Sequence, residues 1–180
     1  CGRGLLIPFL RYRTRRPSLY VGVDVCAANA RWRDGADPRR ESRSKADGWG
    51  FDLKFVESNV DAMTDLVDRE TGGARFDLIV YTSAIEHMQP ASQRRSLIEC
   101  GKLALTTAIL YLTCPVTESG HDGYSTQYGA HVYEPKESEV VEWLGAAGWR
   151  VARRIGLCAK VTSIKDRLRG AALEGATRLL

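Results

Sequence analysis

Short apolar runs alternate with helix-patterned stretches along most of the chain, and this alternation constrains the fold more than any other feature. Compact runs at residues 19–23, 53–56, 76–81 and 108–113 have the length and composition of strands. Between them, residues 60–70 place Met63, Leu66 and Val67 at helical spacing, and residues 91–105 bring Leu97, Ile98, Gly101 and Leu105 near one helix face. A further helix is expected over 137–147, carrying Val140, Val141 and Leu144 and stopping at Gly148. Strands and helices in this order predict an α/β three-layer sandwich around a mostly parallel sheet. Two short runs at 149–153 and 156–161 leave no room for a crossover helix, so they are expected to close the sheet as an antiparallel edge pair. Ligands of such sheets bind beyond the carboxyl ends of the strands. That places Asp24, Asn59, Asp61, residues 82–87 and the stretch after Pro115 where chemistry would occur.

The remaining segments are polar or short. Residues 4–12 read as a helix opening after a glycine pair, 31–50 as a charged loop, and 116–133 as a long polar and aromatic loop. From Ser163 onward, Ile164, Leu168, Ala172, Ala176 and Leu179 form a helical stripe. We therefore expect one domain over 1–162 and a C-terminal helix over 163–180. The 180 residues suit a single domain with its own core. No apolar stretch approaches the ~18 residues of a membrane span, and no membrane association is expected. Five cysteines, scattered and without a CxxC pair, argue against a zinc ribbon or disulfide scaffold. They suit reduced thiols in a cytoplasmic protein. The sequence opens on Cys1 without an initiator methionine, and we expect it to be a fragment of a longer chain.

Cys1-Gly2-Arg3-Gly4 is similar to the second half of a glycine-rich cofactor loop, where glycines let backbone approach a ligand and lead into a helix whose amides face it. About 20 residues on, a strand ends in Asp24, where a carboxylate can accept both hydroxyls of an adenosine ribose. The pair of features points to an adenosine cofactor. A solvated aspartate at a strand end is the plainer alternative.

These blocks, with Val21-Gly22-Val23-Asp24, Phe76-Asp77-Leu78-Ile79-Val80, Ser83-Ala84-Ile85-Glu86-His87 and Ala147-Gly148-Trp149, resemble class I S-adenosylmethionine-dependent methyltransferases from residue 1 to about Val161. The resemblance implies a Rossmann-like sheet and S-adenosyl-L-methionine as cofactor. It implies that Cys1, Gly2 and Gly4 line the methionine part, that Asp24 binds ribose, and that Val25 or Cys26 touches the adenine face. Asn59 and Val60 stand at the third strand end, where Asn59 would accept the adenine amino group, with Asp61 as the fallback. Thr82 and Ser83 would lie beside the sulfonium. The family's first strand would precede Cys1; it lies mid-sheet, so its two neighbours would lose a hydrogen-bonding partner without it.

Methyl transfer draws on alignment and, for a hydroxyl acceptor, on a nearby base. His87 and His131 are the catalytic candidates; each can instead serve as a structural hydrogen-bonder, which is the plainer reading for His131. Glu86, His87 and His131 also offer donor types suited to a cation. Small-RNA 3′-end and some ubiquinone-pathway methyltransferases resemble the chain there, but their pattern opens with a further Glu where this chain has Ser83. No metal is expected. Arg11, Arg13, Arg15 and Arg16, with Arg39, Arg40, Arg43 and Lys45, are read as solvated surface, diluted by Asp34, Asp37, Glu41 and Asp47. Nucleic acid is accordingly not expected as a partner. The expected acceptor is a small molecule bearing a hydroxyl or amine, bound under the 116–133 loop, whose Gly120, Gly123 and Gly129 would permit closure. Tyr124, Tyr128 and Tyr133 would line that pocket or fill a seam, and Trp143 is placed in the core. The alternatives are a non-catalytic adenosine-cofactor-binding domain, a methyltransferase acting on RNA, and a nicotinamide-dependent oxidoreductase.

Overall fold

A computed structural model describes residues 10, 17–26, 51–117, 131–156 and the backbone of 121–122. Residues 1–150 form one compact unit and 151–180 another. Of the second unit only 151–156 are described; they are exposed and carry neither helix nor strand.

In the first unit, β1 (Leu19–Asp24) pairs in parallel with β2 (Asp52–Glu57), from Leu19 opposite Asp52 to Asp24 opposite Glu57. A 3-10 turn, Val60–Ala62, leads into α1 (Thr64–Thr71). Next, β3 (Phe76–Thr82) pairs in parallel with β4 (Ala104–Thr113), and α2 (Pro90–Leu103) is the crossover between them. A second 3-10 turn, Ile85–His87, joins β3 to α2. Two-residue strands β5 (His121–Asp122) and β6 (Tyr133–Glu134) pair antiparallel, and α3 (Glu137–Ala146) follows. The β–α alternation read from the sequence is present, and the parallel pairing with it.

Local chemistry sets the helix ends. Pro90 opens α2, where its missing N–H costs nothing. Gly72 ends α1 at φ 69, a left-handed conformation that a side chain disfavours, while its N–H bonds back to Asp68 O. At α3, the Glu139 carboxylate accepts the Lys136 N–H at 2.8 Å, reaching back over the first turn.

Packing unites the two parallel pairs. Val56, Met63, Val67, Tyr81, Ile85, Leu97, Cys100, Leu103 and Trp143 form one buried cluster, with Val21 and Val23 of β1 against it. Trp143 lies in this core, as expected. Tyr81 Oη donates to Ser96 Oγ at 2.9 Å inside it, and burial pushes the phenol pKa far up. Gly101 is where α2 meets the end of α3: a Cβ there would lie 2.8 Å from Ala147 O. The far face of β3 and β4 leaves Leu78, Val80, Ile109 and Tyr111 exposed.

Several element expectations are corrected. Residues 60–70 are a 3-10 turn and then an α-helix, because Met63 turns into the core and the true first turn begins at Thr64. β4 begins at Ala104, so Leu105, expected on a helix face, is an exposed strand residue. The run at 76–81 reads as a buried strand from its composition, but β3 has one open face, with Leu78 and Val80 exposed. Residues 149–153 form no strand: the Trp149 indole donates to Leu97 O at 3.2 Å instead, and the arginine-rich stretch beyond it is exposed. The antiparallel pairing that is observed lies between β5 and β6. Of the helix expected over 4–12 only Leu10 is described, and it is helical; the helix expected from Ser163, the 31–50 loop, residues 157–161 of the second expected edge strand, and Tyr124 and Tyr128 lie outside the described residues. No described helix is long and apolar enough to cross a membrane.

Among the described residues Cys26, Cys100 and Cys114 are free thiols, and only Cys26 is exposed. Burial, and then the Glu99 charge, pushes the Cys100 thiol up to about 12; burial and then Glu86 push Cys114 up to about 11. Because the thiolate is the reactive form, iodoacetamide at neutral pH should alkylate Cys26 in the native protein and reach Cys100 and Cys114 only after unfolding. Peptide mass spectrometry reads this directly, and native labelling of Cys100 would contradict the packing described.

Candidate functional site

The carboxyl ends of the parallel strands gather most of the described candidates. β1 ends at Asp24, whose Oδ1 accepts the Cys26 N–H at 3.0 Å and so fixes the turn after the strand. Asp24 O accepts the Ser58 N–H at 3.0 Å, which prolongs the β1–β2 ladder and brings Asn59 to the same end of the sheet. Asn59 is exposed, has extended backbone and makes no cap bond to the following turn. Val60 packs against the core. Val25 is 61% exposed, an apolar side chain open to solvent next to a carboxylate. Asp61 is engaged elsewhere, in an ion pair with Arg95 at 3.1 Å.

On the second pair, Thr82 and Ser83 are exposed at the end of β3. Ser83 has φ 49, an uncommon left-handed conformation for a residue with a side chain. Its N–H points back to Thr113 at the end of β4, 3.4 Å from the carbonyl and 3.3 Å from Oγ1. The chain is thereby turned off the strand into the Ile85–His87 turn. Cys1, Gly2 and Gly4 lie outside the described residues.

The two histidines singled out in the sequence are brought together. Their rings meet edge to face, with centroids 5.2 Å apart. Val132 N–H donates to Glu86 O at 2.8 Å, which binds the His131 segment to the 3-10 turn. Gln93, fully buried on α2, donates to both Met88 O and Tyr133 O at 2.9 Å and holds the same segment from the other side. Tyr133 Oη donates to Glu139 at 3.0 Å, and its ring packs against the core. It is therefore not available to line an acceptor pocket by its hydroxyl.

A carboxylate not anticipated from the sequence completes the cluster. Glu134 is 1% exposed and its Oε1 lies 2.6 Å from His131 Nδ1. Glu86 is 3% exposed, with Oε1 4.0 Å from His131 Nε2 and Oε2 buried without a hydrogen-bond partner. One donor atom from each of Glu86, His87 and His131 falls within 4.8 Å of the others, a grouping that could hold a metal ion. The His-x-x-Glu spacing at 131 and 134 was the available signal for Glu134; nothing in the sequence marks Gln93.

No protein-family model matches the chain, and no curated protein matches it in sequence. Solved structures match its fold. Magnesium protoporphyrin IX methyltransferase from Synechocystis PCC 6803 with bound SAM aligns at a TM-score of 0.58 and 16% identity, covering 89% of this chain and 61% of that one. The same enzyme with bound SAH aligns at 0.56 and 17%, covering 89% and 66%. This chain thus spans less than two thirds of the first of these structures. The likeness shows a class I S-adenosylmethionine-dependent methyltransferase fold, Rossmann-like and mixed α/β.

Proposed function

We propose, from the class I methyltransferase fold, that the chain binds S-adenosyl-L-methionine at the carboxyl ends of its strands and serves methyl transfer to a hydroxyl or amine of a small molecule. The observation that carries this reading is the placing of Asp24, Val25 and Asn59 at one strand-end edge, in a fold whose similar structures were solved with SAM and SAH. The residues present fit that cofactor. A strand-end carboxylate suits ribose hydroxyls, the exposed Val25 offers an apolar surface to a purine, and Asn59 can accept from an exocyclic amine. Thr82 and Ser83, exposed at the end of β3, suit the sulfonium side. Cys1, Gly2 and Gly4 complete the proposed set.

The bound cofactor supplies an electrophilic methyl group on a sulfonium. A hydroxyl or amine acceptor taking that methyl would have to give up its proton. His87, exposed, and His131, half-buried and held by Glu134, are proposed to serve the acceptor at that step. A small-molecule acceptor is favoured by the modest net charge of +4, which supplies no strong field for nucleic acid.

Calorimetry on the full chain tests the reading. S-adenosylhomocysteine should bind, and Asp24→Ala should weaken it ~10–100-fold, the loss of charge-assisted hydrogen bonds worth ~1.5–3 kcal/mol. Binding of NAD with none of S-adenosylhomocysteine would overturn the cofactor. Binding without transfer of labelled methyl to any extract fraction would favour the non-catalytic alternative, and label appearing only in RNA would overturn the small-molecule acceptor.

A further inference from the structure

We propose that a cavity between the chain leaving β4 and the start of α3 holds the zwitterionic end of an α-amino-acid-type methyl acceptor, with Lys136 taking its carboxylate and Glu137 its ammonium. The inference rests on the methyl-transfer reading and names the class of acceptor that this reading leaves open. The cavity has a volume of about 320 Å3. Small-molecule sites run from ~300 to 1,000 Å3, so it suits a compact polar group and not a large ring system.

Its walls are fixed against each other. Val116 and Thr117 follow the carboxyl end of β4 at Thr113, on the edge where ligands of parallel sheets bind. Thr117 N–H donates to Pro135 O at 3.0 Å, and Thr117 bridges in parallel to Lys136. Pro135 is fully buried, and the Lys136 N–H is bonded to Glu139 Oε2 at 2.8 Å. The Lys136 backbone is thereby held at both of its neighbours while its side chain stays exposed. His131 stands 136 − 131 = 5 residues earlier on the same segment, so the cavity follows directly on the side chains proposed to serve the acceptor.

The lining selects the ligand. Val116, Thr117, Lys136, Glu137 and Ser138 surround the cavity. They bring one cation, one anion, two hydroxyls and one apolar side chain. Such a wall has no net charge to gather a phosphate or another dianion, and it is too polar for a hydrocarbon. A group that carries a carboxylate and an ammonium side by side leaves neither wall charge unbalanced. Lys136 has only donors to give, which a carboxylate accepts, and the Glu137 carboxylate has only acceptors, which an ammonium fills. Val116, 48% exposed, offers contact to the carbon that joins them.

Thr117 supplies an independent sign. Its Oγ1 is buried without a hydrogen-bond partner, although the residue as a whole is only half-buried. Native structures leave few such atoms, because an unpaired buried hydroxyl keeps its full desolvation cost. A turn of about 120° around χ1 exchanges hydroxyl and methyl between staggered positions. That turn presents the O–H to a ligand carboxylate, which supplies the missing partner. The arrangement also limits the chemistry. An ammonium held on Glu137 has no lone pair, so the methyl group would go to another hydroxyl or amine of the same molecule.

The test titrates the full chain by ligand-observed NMR with three probes of the amino-acid end: L-valine, L-valinamide without the carboxylate, and N-acetyl-L-valine without the ammonium. L-valine should bind ~5–10-fold more tightly than either, a gain between that of an exposed ion pair and that of a charge-assisted hydrogen bond. Lys136→Met should erase its advantage over L-valinamide, and Glu137→Gln its advantage over N-acetyl-L-valine. Both positions are exposed, so far-UV dichroism should not change. Thr117→Val should weaken L-valine binding while leaving the melting temperature equal or higher, since it removes an unpaired buried hydroxyl. A lower melting temperature would make that hydroxyl structural and overturn its assignment to the ligand. Equal affinity for the three probes, or a preference that survives both charge substitutions, would overturn the proposal. The titrations are repeated with S-adenosylhomocysteine at saturation, where L-valine should still bind. Competition between the two would give the cavity to the cofactor's own amino-acid end and overturn the proposal equally. Absence of S-adenosylhomocysteine binding in its own titration is a failure of the methyl-transfer reading, and it is read separately from the L-valine result.

Discussion

Truncating Leu97 to alanine is expected to remove ~2–5 kcal/mol of stability, toward the upper end of that range. Leu97 is fully buried at the middle of α2, where α1, α3 and both parallel pairs meet the same core. The cost of such a truncation depends on whether neighbours can collapse into the space. Here they are held. The Leu97 carbonyl accepts the Trp149 indole N–H, Gly101 one turn later lies against the Ala147 carbonyl, and Tyr81 is tied to Ser96. A chain of this size loses ~2–4 °C of melting temperature per kcal/mol. Urea unfolding of the variant with an unchanged slope and a loss under ~1 kcal/mol would mean that α2 is not the centre of the core.

Glu99→Ala should cost ~1.5–3 kcal/mol at neutral pH, and that cost should vanish in acid. The first amides of α1 have no partner within the helix, and Met63 provides no side-chain cap. Glu99 of α2 fills the role across the interface: its Oε2 accepts the Thr64 N–H at 2.8 Å while Oε1 takes Lys102 Nζ at 2.6 Å. Burial pushes the Glu99 carboxyl up, but hydrogen bonds from Lys102 and Thr64 outweigh it, so the folded group titrates below its ordinary 4.5. A depressed folded pKa contributes stability that is fully present above the unfolded value and lost as pH falls through the folded one. Urea midpoints of the two proteins should therefore differ at neutral pH and converge below the carboxylate range. A gap that persists in acid would assign the loss to packing.

The parallel architecture was legible because its signal is local: runs such as Leu19–Asp24 and Phe76–Thr82 are too short and too apolar to be anything but strands between helices. Boundaries set by distant partners were not. β4 extends back to Ala104 because Phe76 pairs with it across a register shift, and no property of Ala104 or Leu105 announces that. Trp149 looked like a strand residue, but its indole found a carbonyl on α2. At the site, His87 and His131 were each visible, yet their contact depends on a β6 segment positioned by Gln93, whose role no spacing reveals. Glu134 reads as one more surface acid until its burial is seen.

The bond between Val132 and Glu86 also bears on the order in which the molecule assembles. β3, the 3-10 turn and α2 follow one another directly and meet through contacts close in sequence. Bringing His131 to Glu86 instead closes a loop of 131 − 86 = 45 residues, and the entropy of such closure opposes folding before any contact rewards it. The β3–α2 unit, whose contacts are close in sequence, is thus expected to consolidate before the donor cluster. In a hydrogen-exchange experiment the Val132 amide should open at a lower free energy than the amides of α2. A protein caught between those two stages would carry a formed β3–α2 unit and no assembled donor cluster.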